Sequence, residues 1–375
     1  MVLSEKQYLP TKDDLENEEL KSLAKRLKKD TYRETLTNIV EWQERNLSYW
    51  FDRADMFILV YVLAAISFYF QPISPIIKCV SSIAFLAVPI LVSIIDITFM
   101  LLLTTFFSIF VVTIFTILFL YGFPTSNNIF PIHQLIVLSM VTGAMISLWT
   151  YLVLRYRRLK HIQPSFRISD VFEMSLPVKK ILEYRLAICR DYAKLTSAFL
   201  LNICSGNEIY FVRIPWHVAA AIKVNNKIYV LDQRLPITSL EKWLAYWRER
   251  FKKRKITATI LSISAENDKI ETKKVKKVNL QDFEIPNVDT ERLSSQLANH
   301  IGLKRPRLKQ DERPNLSLPF KNYAIYYEND EITIHSMLKS FKICLEKELC
   351  GDLGRISKIL IEQREKDLVL NVWIT

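Results

Sequence analysis

Residues 186–234 read LAICRDYAKLTSAFLLNICSGNEIYFVRIPWHVAAAIKVNNKIYVLDQR. From Cys189 to about Cys204 the residues suit a helix: Tyr192, Leu195, Phe199 and Leu200 recur at helical spacing, and Gly206 follows as a stop. Glu208–Ile214, His217–Val224 and Lys227–Asp232 are then three short β-branched and aromatic runs. Asn225-Asn226 separates the last two, and asparagine tolerates the positive φ of a two-residue hairpin turn.

That turn sets a register. If Val224 pairs with Lys227, Asp232 comes opposite Ala219. Ala219 shares its face with His217, because side chains alternate with period two. His217 and Asp232 are then diagonal neighbours on one face of the hairpin. A carboxylate there holds one imidazole nitrogen and leaves the other free to act as a base. Cys189, at a helix N-terminus, has its thiolate favoured by the helix dipole and by a nearby imidazolium. The three types in this order make a nucleophile, a base and an orienter. The competing reading takes Cys189 as a small core residue and His217 as a satisfied polar group on a strand.

The run Cys189-Arg190-Asp191-Tyr192-Ala193, with His217 on a strand and Asp232 closing the next, resembles the transglutaminase-like core, a circularly permuted relative of papain-type cysteine peptidases. It is also similar to an archaeal, membrane-associated subgroup of predicted transglutaminase-like cysteine peptidases. The resemblance implies Cys189 as nucleophile, His217 as base and Asp232 as orienter. Two departures from the pattern stand beside these residues: Ala187-Ile188 where a glycine is usual, and Gln233 where a proline is common.

The whole chain has 375 residues, room for two or three units. Half of it is hydrophobic, with mean hydropathy +0.11, which points to an apolar portion joined to a charged one. The five cysteines (Cys79, Cys189, Cys204, Cys344, Cys350) form no CxxC pair, which argues against a disulfide framework or a zinc site. No cofactor and no metal are expected. The net charge of +12 suggests an anionic neighbour, read here as a membrane surface with anionic lipid headgroups. Nucleic acid is not expected as a partner, because no aromatic-interleaved basic motif accompanies the charge.

Residues 1–55 read as a charged helical segment, with Leu20, Leu23 and Leu27 on one face, continued by Leu36, Ile39 and Val40. It is expected to pack on its own protein, with self-association through this helix as an alternative. Residues 56–154 are almost free of charge. Spans of about 20 residues are expected over 56–70, 79–95, 97–121 and 132–154, and Asp96 breaks the middle of the region. Arg155, Arg157, Arg158 and Lys160 follow the last span, so the positive-inside rule puts that end and the N-terminus in the cytoplasm.

Residues 165–285 carry the catalytic pattern, and 286–320 are polar and proline-punctuated, as in a linker. Residues 321–375 form a small α+β unit of unknown role, with strands expected at Tyr323–Tyr327 and Glu331–His335 and a helix at Met337–Leu349. The expected fold class is therefore α+β: a polytopic helical membrane region, then a cytoplasmic transglutaminase-like domain, then the small unit. The expected function is a membrane-anchored cysteine hydrolase cleaving peptide or other amide bonds through Cys189, His217 and Asp232. Its partner would be a peptide or protein amide substrate. The alternative is a catalytically inactive membrane scaffold or peptide-binding module.

Overall fold

The computed structural model describes residues 8–49, 165, 175–215, 217–266, 269–303 and 313–374. The chain divides into two compact units, Met1–Trp50 with Ser175–Thr375, and Phe51–Met174. The first holds every described residue except Ser165.

Within that unit the N-terminal segment forms α1 (Lys12–Glu16), α2 (Glu18–Leu27) and α3 (Tyr32–Asn46). Each begins at a side-chain cap: Thr11, Asn17 and Thr31 accept from a backbone N–H two or three residues on. A two-residue strand β1 (Ser48–Tyr49) ends this part. After residue 174 come α4 (Val178–Tyr184), β2 (Leu186–Ala187) and α5 (Cys189–Ile203). β1 pairs with β2 in parallel, Ser48 beside Leu186, so the two chain segments meet in a ladder just before Cys189.

The main sheet follows: β3 (Ile209–Ile214), β4 (His217–Val224), β5 (Lys227–Leu231), β6 (Thr238–Ser239), β7 (Ile256–Glu266) and β8 (Lys269–Leu280). Its order is β6-β5-β4-β3-β7-β8 with every pairing antiparallel. Asn225 and Asn226 both have positive φ, and Val224 pairs with Lys227, so the hairpin register is the one the turn residues specify. Helix α6 (Leu240–Arg250) puts Trp243, Leu244 and Ala245 on one sheet face, against Ala219, Ala221 and Val230. Phe211 and Ala220 alternate with these and are fully buried too. The ring of Tyr8 meets Phe211 edge-on at 4.9 Å, and α5 packs on β4. The sheet is therefore covered on both faces, which is why β4 is apolar at every position except Lys223 and His217.

A second, smaller layer closes the unit: α7 (Thr290–His300), β9 (Leu316–Phe320), α8 (Glu331–Glu348), β10 (Ile356–Arg364) and β11 (Asp367–Ile374). Its antiparallel sheet runs β10-β11-β9 and carries a core of its own, including Phe341, Leu345 and Val372. Three local expectations differ here. Tyr323–Tyr326 is a 3-10 helix and not a strand. Ile332-Thr333-Ile334 is helical, because Asp330 caps the Ile332 and Thr333 N–H groups at 3.1 and 3.0 Å and starts α8 there. Residues 316–320 form a strand because β11 offers them a partner, which polar spacing cannot reveal.

The expected fold class is corrected in its arrangement. The chain is α+β, but the residues before the apolar stretch and those after it make one compact unit, not a membrane region followed by a separate domain. The reason is burial. Leu20, Leu36, Ile39 and Val40 are 0% exposed, and buried polar groups tie the same helices down. Gln43 Nε2 donates to Thr196 Oγ1 at 2.9 Å, and Val178 N–H to Asp14 Oδ1 at 2.7 Å.

The expected multi-pass membrane placement is corrected as well. No helix among the described residues is long and apolar enough to cross a membrane. The longest, α8, carries Lys339, Lys342, Glu346 and Lys347. The four expected spans and Asp96 lie outside the described residues.

If α3 is part of the core, Leu36→Ala leaves a cavity and costs about 2–5 kcal/mol. Urea denaturation followed by tryptophan fluorescence measures this. A loss below about 0.5 kcal/mol, as at an exposed site, would make α3 peripheral.

Candidate active site

Cys189 is the first residue of α5, and its position is built by a neighbour. Asp191 reaches back to the start of the helix, accepting from Ile188 N–H at 3.1 Å and from Leu176 N–H at 2.8 Å. Lys194 Nζ donates to the Leu176 carbonyl at 3.1 Å. Asp191 is fully buried, and burial pushes its carboxyl up to about 6 against those hydrogen bonds and the Lys194 charge. One buried carboxylate thus clamps the incoming chain to the helix that presents the thiol.

His217 opens β4 and Asp232 follows the last residue of β5. The ladder ends at Ala220 beside Leu231, so Asp232 stands one step past it, on the His217 side of the hairpin. His217 Nε2 lies 2.9 Å from both Asp232 Oδ1 and Oδ2. Two further donors complete the carboxylate: Gln233 N–H at 2.8 Å to Oδ1 and Trp243 Nε1–H at 2.9 Å to Oδ2. Nε2 is committed to Asp232, and the Cys189 side chain is among the groups that favour the His217 imidazolium. The structure brings His217 and Asp232 into direct contact and sets Cys189 at the start of α5, where it acts on the same imidazole.

Burial disfavours the His217 imidazolium, yet the Asp232 charge and the hydrogen bonds to Asp232 and Cys189 outweigh it. His217 is held well above its ordinary value. Asp232 moves oppositely: burial pushes it up, and His217, Trp243 and the Gln233 N–H pull it below the usual carboxylate range. The pair is an imidazolium and a carboxylate at neutral pH, and the Cys189 side chain acts on the same imidazole. That set can attack an acyl carbon with sulfur and protonate a leaving group from nitrogen.

Two tryptophans of the site escape the reading of sequence. Trp243 holds Asp232, and the Trp247 ring lies 4.3 Å from the His217 ring, tilted by 37°. They sit four apart, on one face of α6. That spacing was the available signal, but aromatic pairs on a helix are common core residues. A cleft of about 270 Å³ is lined by Glu44, Tyr49, Tyr192, Gln233 and Arg234 among others, and by none of the three triad residues themselves. Tyr192 stands one turn along α5 from Cys189, and Arg234 follows Asp232 by two residues. Glu44 accepts from Leu235 N–H at 3.2 Å, and burial raises its carboxyl.

A family model described as a transglutaminase-like domain matches residues 18–263. The match begins at the first residue of α2 and ends inside β7, so the domain includes the N-terminal helices and does not start after the apolar stretch. A UPF0252 protein of Methanocaldococcus jannaschii is 27% identical over 371 residues, covering 96% of this chain and 94% of that protein. A UPF0252 protein of Pyrococcus horikoshii is 23% identical over 207 residues, 50% of this chain and 67% of that protein. One from Archaeoglobus fulgidus is 41% identical over 70 residues, 17% of this chain and 21% of that protein. No solved structure matches the chain.

The His217–Asp232 pair carries a pH signature. His217 is raised from 6.5 to about 10, so its contribution is complete below 6.5 and is lost as pH rises through 10. Asp232 is lowered from 3.8, so its contribution is present above 3.8 and is lost as pH falls further. A double-mutant cycle with His217→Asn and Asp232→Asn should give a coupling on the order of 2 kcal/mol between those limits. The coupling should decline steadily toward pH 10. Denaturant titrations at several pH values read it, and a coupling that grows with pH would contradict the assignment.

Proposed function

The chain belongs to the transglutaminase-like domain family, and from that membership we propose that it is a cysteine hydrolase of peptide or other amide bonds. In this reading Cys189 is the nucleophile, His217 the general acid and base, and Asp232 the orienter. The observation that carries the reading is the buried His217 imidazole held by Asp232 at 2.9 Å, with Cys189 among the groups that favour its charged form.

The cycle starts from a Cys189 thiolate paired with the His217 imidazolium, the thiol proton having passed to the ring. The Cys189 sulfur attacks the amide carbonyl carbon, a C–S bond forms, and the carbonyl π pair moves to oxygen. As that pair returns, the C–N bond breaks and the His217 imidazolium gives its proton to the departing amine. The product is a thioester on Cys189 and a neutral imidazole. Water then attacks the thioester as His217 takes its proton, and C–S cleavage returns the sulfur with its electron pair. Asp232 stabilises each imidazolium, and the Trp243 indole keeps Asp232 from turning away. The cleft lined by Tyr192 and Arg234, near in sequence to Cys189 and Asp232, offers polar groups to a substrate. Water is the simpler acceptor, since transfer to a second amine demands a further binding site.

Two measurements test this. In alkylation by iodoacetamide at pH 7, Cys189 should react at least about tenfold faster than the exposed Cys350, although Cys189 itself is 7% exposed. Burial holds Cys204 up at about 11 and raises Cys344, so neither should compete. Faster labelling of Cys350 would favour a non-catalytic binding role. With a peptide-amide library, Cys189→Ala should abolish turnover. Asp232→Asn should slow it by roughly tenfold to a thousandfold, less than the ten-thousandfold seen in a serine triad, and lower stability by on the order of 2 kcal/mol, because the His217 imidazolium loses its buried partner. An Asp232→Asn variant as active as the parent would remove Asp232 from the machinery.

A further inference from the structure

We propose that a second cleft, enclosed by α3, α7 and α8, binds a small organic anion through its phosphate or carboxylate group. The cleft has a volume of about 600 Å³, within the range of small-molecule sites. Arg33, from the first turn of α3, and Arg292, near the start of α7, line it together with His300 and His335.

Three polar atoms of the lining residues have no partner among the described residues. Arg33 Nε, Gln296 Oε1 and His300 Nε2 are buried and make no hydrogen bond among the described residues. All three belong to residues lining this one cleft. Buried donors and acceptors without partners are rare in folded proteins, so a cluster of them around one space calls for an occupant.

The charge around the cleft defines the occupant. Asp330 is already saturated, by Lys227 Nζ and Tyr229 Oη at 3.2 Å each and by the two N–H groups it caps. Glu331 is 84% exposed and stands 3.7 Å from Arg33, a weak solvent-screened pair. Among the described residues the Arg292 guanidinium donates only to the neutral Asn329 amide, at 2.9 Å, while its backbone N–H goes to Asp289. The arginines therefore face the space with their charge little opposed. Burial holds His300 and His335 below their ordinary values. For His300 this is reinforced by His335, Lys342 and Lys339 and opposed by Glu41. For His335 it is reinforced by Arg33 and Lys339 and opposed by Glu34 and Glu41. An incoming oxyanion relieves that repulsion, and a guanidinium fork meets such a group with two parallel hydrogen bonds. Ile334 and Leu338 supply an apolar wall for the carbon part of the ligand.

A metal does not suit the place. Among the described residues no group of three or more His, Cys, Asp or Glu side chains could hold one. Arg33 lies within the family-matched range 18–263, while Arg292, His300 and His335 lie beyond it. The site thus exists only where the C-terminal layer packs on the N-terminal helices, and it depends on none of the catalytic residues.

Thermal denaturation of the full chain tests the proposal. The probes are pyrophosphate, adenosine monophosphate and citrate at 5 mM, each against sodium chloride of equal ionic strength. At least one should raise the midpoint by roughly 2 °C or more, and the shift should vanish in the Arg33→Gln, Arg292→Gln double variant. A response to the phosphate probes alone, or to citrate alone, supports the site and identifies which oxyanion it takes. If the double variant does not fold, His300→Gln is read by the same criterion. No shift above the chloride control with any probe, or an equal shift in parent and variant, overturns the proposal.

Discussion

A buried carboxylate that meets an imidazolium must have every lone pair engaged, or it costs more than it contributes. Asp232 meets that demand with the two-oxygen contact to His217, the Trp243 indole and the Gln233 N–H. Each partner comes from a different place: the first residue of β4, the helix α6, and the backbone just past β5. The ends of three elements are therefore pinned by one group. The segment after Asp232 is held in turn by the small layer and by α3. Ile237 N–H donates to Ser336 Oγ at 3.0 Å, Tyr323 Oη to the Leu235 carbonyl at 3.0 Å, and Leu235 N–H to Glu44.

Asp191 plays the same part for the thiol. It is buried, capped by two backbone N–H groups, and joins residue 176 to the start of α5. Two carboxylates thus govern the site, one orienting the imidazole and one seating the helix that carries Cys189. The N-terminal helices are the outer support of that helix, through the Gln43–Thr196 hydrogen bond and the Tyr192 hydroxyl on the Leu47 carbonyl at 3.3 Å.

The hairpin around Asn225-Asn226 was legible because its rules are local. Two positive-φ residues in a two-residue turn leave one register, and period-two alternation then places His217 and Asp232 on the same face. The beginning of α5 was legible for a similar reason, since apolar spacing and a glycine bound it. The apolar face of α2 and α3 was legible as one that packs on its own protein, and Leu20, Leu36 and Ile39 are sealed from water. What it packs on was not: only tertiary structure shows that these helices support α5, through Gln43–Thr196 and Tyr192–Leu47. The apolar stretch pulled the reading toward a membrane region, because hydropathy counts residues and does not know which units they join.

From sequence alone, then, came the α+β class, the antiparallel hairpin, and three candidate residues with the order of their roles. These rest on spacing within about fifty residues, where turn chemistry and side-chain alternation leave few alternatives. Only the tertiary structure decided that residues on both sides of the apolar stretch share one core, that Trp243 completes Asp232, and that α3, α7 and α8 enclose an arginine-lined cleft. Such contacts join residues far apart in the chain, and burial selects them after the elements form. No local propensity encodes which distant surface will meet which.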